Sequence, residues 1–201
     1  MSYDFEQLPN DDLLNIIRTM TDGKKALVDI FTIAYQRKAL EVFRRKWLEL
    51  PNDVEKTANE IEVALKKTKG ANGLYFGLDT LNMNDGDGAN IEIQTSNTAD
   101  LSGSDSEWMF HSNGYNNRWL INGLYNASKE YDQYSSDDKW FAEYVTFLSY
   151  SGIVIGSALK KSLTRIPYIS AWGFHDGDMY KIAMCDGSTI HLNPFPENPT
   201  A

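Results

Sequence analysis

The chain has 201 residues, 42% of them hydrophobic and 12% aromatic, which excludes wholesale disorder and provides for one sizeable core. Its single cysteine, Cys185, excludes an internal disulfide and a cysteine-rich zinc site. The formal charge of −9 repels nucleic-acid phosphates, and it is unevenly placed. Residues 71–143 hold 12 acids against Arg118, Lys129 and Lys139, while acids and bases balance in 1–70 and in 144–201.

The first residues, MSYDFEQLPNDD, lack the basic and apolar stretches of a secretory signal, so a cytoplasmic protein is expected. Helical spacing then marks a lobe over residues 1–70. A helix over 11–20 turns Leu13, Ile16, Ile17 and Met20 inward, and a longer one over 23–50 carries Val28, Phe31, Tyr35, Ala39 and Val42 on one stripe. Pro51 should end it. The letters LPND occur at 8–11 and again at 50–53, each time before an acidic first turn. After the second copy, Asn52 and Glu55 have the spacing of a capping box, and a helix over 53–69 follows with Val54, Ala58, Ile61 and Leu65 inward. Glu62 and Lys66 make an i,i+4 pair, and Gly70 suits the residue after the helix end.

From residue 71 the period changes to that of strands. Strands are expected at 74–81 and 89–95 around a polar loop, with a short third strand at 107–111. Asn116 or Asn117 then reads as the cap of a helix over 118–131, with Leu120, Leu124, Ala127 and Tyr131 on one face. Between Tyr144 and Leu159 no residue is charged, and both helical stripes are apolar or small. This predicts a central buried helix at about 137–161, with Ser136 as its cap and Lys160–Lys161 at the negative end of its dipole. Gly152 and Gly156 have the small-residue spacing of membrane helices, but the uncharged run is shorter than the roughly 20 residues a bilayer needs.

The last part reads as a meander. Asp176–Gly177 and Asp186–Gly187 are hairpin dipeptides. Two-residue loops there would oppose Phe174 to Met179, Trp172 to Lys181, Ile182 to His191 and Met184 to Thr189. The apolar face would be Trp172, Phe174, Met179, Ala183, Ile190 and Leu192, resting on the central helix. The expected architecture is therefore one domain over 1–201 of α+β class: the helical lobe 1–70, then 71–193 as an antiparallel sheet with two helices packed on it, and a frayed tail over 194–201.

Motifs with chemistry are scarce. Residues 82–90 look like a calcium loop, but aligning Gly88 with the obligatory glycine leaves Met83 and Gln94 at two ligand positions. His111, His175 and His191 show no metal-binding spacing, so neither metal nor cofactor is expected. Cys185 with His175 or His191 is the one conceivable thiol–imidazole pair, and nearby acids would raise the thiol's pKa. The aromatic and amide-rich segment Trp108–Trp119 has the residue types of interface anchors, although core and cap roles explain them equally well.

The composition thus points to a non-enzymatic binding protein, a stoichiometric inhibitor of the immunity or anti-defence type, directed at a basic protein partner and at neither nucleic acid nor membrane. Its contact residues would be Asp85, Asp87, Asp105, Glu107, Tyr115, Arg118, Asp132 and Tyr134. The alternative is a motif-free hydrolase using His111 or His175 with a nearby carboxylate.

Overall fold

A computed structural model describes residues 50–79, 89–102, 107–110, 113–131, 136–175 and 179–192. The helix expected over 11–20, all but the last residue of the one expected over 23–50, residues 82–88 of the calcium-like loop, the Asp176–Gly177 dipeptide and the tail lie outside these residues. Within them the class is α+β, a mixed six-stranded sheet with helices packed on one face.

Helix α1 spans Leu50–Lys67. It starts earlier than expected, because Leu50, Pro51 and Asn52 form its first turn. Proline suits that turn, where its missing N–H has no helical acceptor and its φ is already helical. Asn52 therefore lies inside the helix and is not its cap. Ala58, Ile61, Ala64 and Leu65 are buried as the spacing predicts, and Val54 packs against the same core. Lys66 and Glu62 pair at 3.3 Å, and Gly70 takes φ +75° just past the helix end.

Strand β1 spans Gly73–Leu78 and β2 spans Asn90–Ser96, an antiparallel pair that matches Gly73 to Ser96 and Leu78 to Ile91. The third expected strand is instead a 3₁₀ turn over Glu107–Phe110. The helix expected from 118 is also displaced. Asn116–Leu120 form strand β3 along β2, and helix α2 occupies Asn122–Tyr131. Asn116 and Asn117 therefore cap nothing. The cap of α2 comes from α1, where fully buried Asp53 accepts the N–H groups of Asn122 at 3.0 Å and Gly123 at 2.9 Å.

Helix α3 spans Ser136–Lys161, as the uncharged run predicts. Phe147, Tyr150, Ile153, Val154, Ile155, Ala158 and Leu159 are buried, and each such large side chain contributes about 1.5–3 kcal/mol on leaving water. Ile153, Val154 and Ile155 are consecutive and all fully buried, so this stretch is enclosed on most sides. Among the described residues no helix is long and apolar enough to cross a membrane.

Strands β4 (Pro167–Phe174), β5 (Met179–Asp186) and β6 (Ile190–Leu192) complete the sheet in the order β3-β2-β1-β4-β5-β6. Four pairings are antiparallel and one is not: β1 and β4 run parallel, Gly73 beside Ile169 and Leu78 beside Phe174. A parallel neighbour needs a crossover, and α2 with α3 supplies it over the sheet face. The hairpin registers differ from expectation by one or two residues. Met179 pairs with Gly173, and Tyr180 with Trp172. A bulge beside Ser170 and Ala171 then absorbs one residue, so that Ile182 and Ala183 are both buried. At the second turn the loop is Gly187–Ser188, because Cys185 pairs with Ile190 and the Asp186 carboxylate accepts from Ser188 and Thr189. Gly187 alone has positive φ, at +94°, which fits a type II′ turn. Trp172, Phe174 and Ala183 nevertheless face the helices, with Ile190 and Leu192 packed against them.

Candidate functional site

Strand alternation gives the sheet two unlike faces. Leu74, Phe76 and Leu78 of β1 and Ile91 and Ile93 of β2 point to the helices and join the main core. The intervening residues point the other way. There Trp108 and Met109 of the 3₁₀ turn cover Tyr75, Ile169 and Ala171 in a second, smaller apolar cluster. Trp108 sits so close to the backbone that a Cβ on Gly73 would fall 2.7 Å from its ring. Beside this cap, at the end where β1 and β4 finish, the same face carries a polar constellation of Asp79, Glu92, Gln94, Asn116, Arg118 and His175.

Glu92 is its centre. It is only 7% exposed, yet it accepts hydrogen bonds from Gln94 Nε2 at 2.6 Å, Asn116 Nδ2 at 2.7 Å and Arg118 Nη2 at 3.0 Å. Burial pushes its carboxyl up, but those three donors and the nearby His175 hold it below the usual carboxylate range. Arg118 bridges Glu92 to Asp79, whose Oδ2 lies 3.1 Å from Nη1. Three neighbouring strand registers place these side chains side by side, since Glu92 pairs with Gly77 on β1 and with Arg118 on β3.

His175 closes the group. Its Nε2 is 3.6 Å from Glu92 Oε2 and 3.9 Å from Asp79 Oδ1, an ion-pair separation when the ring is protonated. Tyr75 meets the imidazole edge-on, with ring centroids 5.9 Å apart, and donates its hydroxyl to the carbonyls of Gly173 and Phe174. The ring lies over Gly77, where an added Cβ would fall 2.2 Å from its Cε1. Gly77 is thus a seat for His175 in the middle of β1. The group sets two carboxylates, already paired with Arg118, beside an imidazole at the rim of a sheet, an arrangement able to move a proton.

The structure separates several residues that the sequence analysis groups together. Asp85, Asp87, Asp105, Asp132, Tyr134 and His111 lie outside the described residues. Glu107 is exposed at the start of the 3₁₀ turn. Tyr115 lies on the helix side of the sheet, its hydroxyl donating to Glu60 at 3.2 Å and its ring 5.0 Å from Lys67 Nζ, whereas Arg118 is on the open face. Cys185 is buried in the helix-side core, so it meets neither His175 nor His191. His191 pairs with Asp186 at 3.0 Å near the beginning of β4, about 20 Å along the strand from His175. Among the described residues no group of three or more His, Cys, Asp or Glu side chains has metal-binding geometry.

Sequence reasoning names His175 and Arg118 but misses Asp79, Glu92 and Gly77. The alternation Asn90, Glu92, Gln94 against Ile91, Ile93 marks a polar sheet face, and that is the signal available for Glu92. Comparison with protein-family models, curated proteins and solved structures finds no significant match.

Proposed function

We propose that this is a non-enzymatic cytoplasmic binding protein whose acid-rich middle region docks onto a basic surface of a protein partner, in the manner of a stoichiometric inhibitor or immunity protein. The supporting observation is the engagement of Arg118. Of the 12 acids in residues 71–143, Asp79 and Glu92 neutralise this arginine internally, which leaves ten against Lys129 and Lys139. An acidic surface of that kind speeds encounter with a cationic partner and disfavours polyanions. The contacts include Asp85, Asp87, Asp105 and exposed Glu107. The test is affinity capture from the source cells with the wild type and with a variant reversed at these four acids, at low and high salt. A partner lost in the variant and at about 0.5 M salt supports the reading. A partner held equally in all conditions refutes it.

A second reading draws on His175, which stands beside two carboxylates with its ring edge partly open to solvent. In it the protein is a hydrolase in which His175 moves a proton and Glu92 or Asp79 stabilises the imidazolium. Hydrolysis of p-nitrophenyl esters or phosphates that disappears in His175→Ala, and also in Gly77→Ala, would support it. Activity that survives both substitutions removes it.

A further inference from the structure

Helix α1 ends in a run of lysines, and two of them are out of balance with the rest of an acidic protein. Lys66 pairs with Glu62 one turn back. Lys67 and Lys69 are exposed and have no carboxylate partner among the described residues. Both line an open depression of about 370 Å³, together with Thr68, Asn97, Asn113, Gly114 and Tyr115. That volume lies within the range typical of small-ligand sites, roughly 300–1,000 Å³.

The walls are fixed by contacts that leave specific groups free. Asn113 Nδ2 donates to Asn97 Oδ1 at 2.8 Å, and the Asn97 backbone N–H donates to Asn113 Oδ1 at 3.1 Å. This reciprocal clasp uses the oxygen of the Asn97 carboxamide and leaves its Nδ2 to donate. Thr68 and Thr95 share a 2.8 Å hydrogen bond beneath, and both hydroxyls accept the Tyr115 N–H. Gly114 lies against that pair, where a Cβ would fall 2.3 Å from Thr95 Oγ1. Tyr115 turns its hydroxyl away to Glu60 and its ring toward Lys67.

We propose that this depression binds the phosphate monoester of a small molecule. Two lysines and an amide donor among its lining residues match a near-dianionic tetrahedral group, for which lysine acts as a point charge. The protein's net negative charge does not cancel them, because at physiological salt charges beyond about 8 Å are largely screened. The site is separate from the open sheet face and does not depend on the reading of the acidic region. The depression exceeds the size of a phosphate ion, so an organic remainder would lie along Tyr115 and Asn113.

The test is an NMR titration of the full chain with inorganic phosphate and, in parallel, glycerol 3-phosphate. Saturable shifts are expected at the amides of Lys69, Asn97, Gly114 and Tyr115 with dissociation constants on the order of 1 mM, tighter for the ester. Lys67→Ala/Lys69→Ala should weaken both by about tenfold or more, while Lys67→Arg/Lys69→Arg and the remote Lys160→Ala should not. Both lysines are exposed, so the variants fold and their melting curves report it. Tighter binding of the ester than of the ion identifies a phosphorylated small molecule as the ligand. Absence of saturation, equal binding by the Ala/Ala variant, or phosphate bound as tightly as the ester would each overturn the proposal.

Discussion

Replacing Asp53 by alanine should remove more stability than any other single change among the described polar residues. Its carboxylate is wholly buried between three helices. Oδ1 accepts the Asn122 N–H, and Oδ2 accepts the Gly123 N–H and the Tyr150 hydroxyl at 2.8 Å. Two of these donors are orphans of the α2 N-terminus, where loss of a cap costs about 1 kcal/mol. The third ties α3 to the same point. Hydrogen bonds to a charged group are worth about 1.5–3 kcal/mol each, and the three share one carboxylate, so a total near 4 kcal/mol is expected in place of the full sum. Asp53→Asn keeps one acceptor but turns an amide N–H toward the Gly123 N–H; about 2 kcal/mol should be lost. Tyr150→Phe should cost about 1.5 kcal/mol in the wild type and almost nothing beside Asp53→Ala. Urea unfolding monitored by far-ultraviolet circular dichroism measures all four proteins of the cycle. If Asp53→Ala lies within about 0.5 kcal/mol of wild type, the reasoning about α2 is refuted.

Three further outcomes follow from local geometry. Glu62 accepts from Ser162 Oγ, the N–H of Thr164 and Thr164 Oγ1. Burial raises its pKa, but those donors outweigh it and bring it to about 2. The folded value lies below the unfolded one, so the stabilisation is complete above about pH 4.5 and is lost as pH falls toward 2. Glu62→Gln should therefore cost about 2 kcal/mol at pH 7, and unfolding curves of the two proteins should draw together below about pH 4.5 and converge near pH 2. Gly156→Ala should stabilise by about 1 kcal/mol, since the new Cβ meets only Leu192 and Ile182 at 3.7 Å or more and alanine is the better helix former; a lower melting temperature would contradict this. Tyr168 is fully buried and its hydroxyl has no hydrogen-bond partner among the described residues, so Tyr168→Phe should raise stability by up to about 1 kcal/mol; a loss measured in urea would show that the hydroxyl is satisfied.

What the sequence makes legible here is whatever is encoded within a few neighbouring residues. The uncharged run Tyr144–Leu159 marks α3 because burial on most sides leaves no room for charge. The alternation in Asn90–Ser96 marks β2. The failures share one cause, a partner far along the chain. Asn116–Asn117 resemble a helix cap, but the edge of β2 takes that segment as β3, and the true cap of α2 is Asp53. Asp186–Gly187 resembles a two-residue hairpin loop, but the Asp186 side chain accepts from Ser188 and Thr189, which moves the loop one residue on. The polar constellation shows the same limit. His175 is visible as one of three histidines, while Asp79 and Glu92 become its neighbours only when β1, β2 and β4 are aligned.

The parallel seam between β1 and β4 sets a timetable for synthesis. Gly73 waits for Ile169, about a hundred residues later, which is roughly 5–20 s at ordinary translation speed. During that interval one margin of β1, a strand destined to be covered on both faces, stands open on the ribosome. A nascent chain stalled between the two strands offers a ready template for a neighbour on the same polysome, whereas one released after β4 does not.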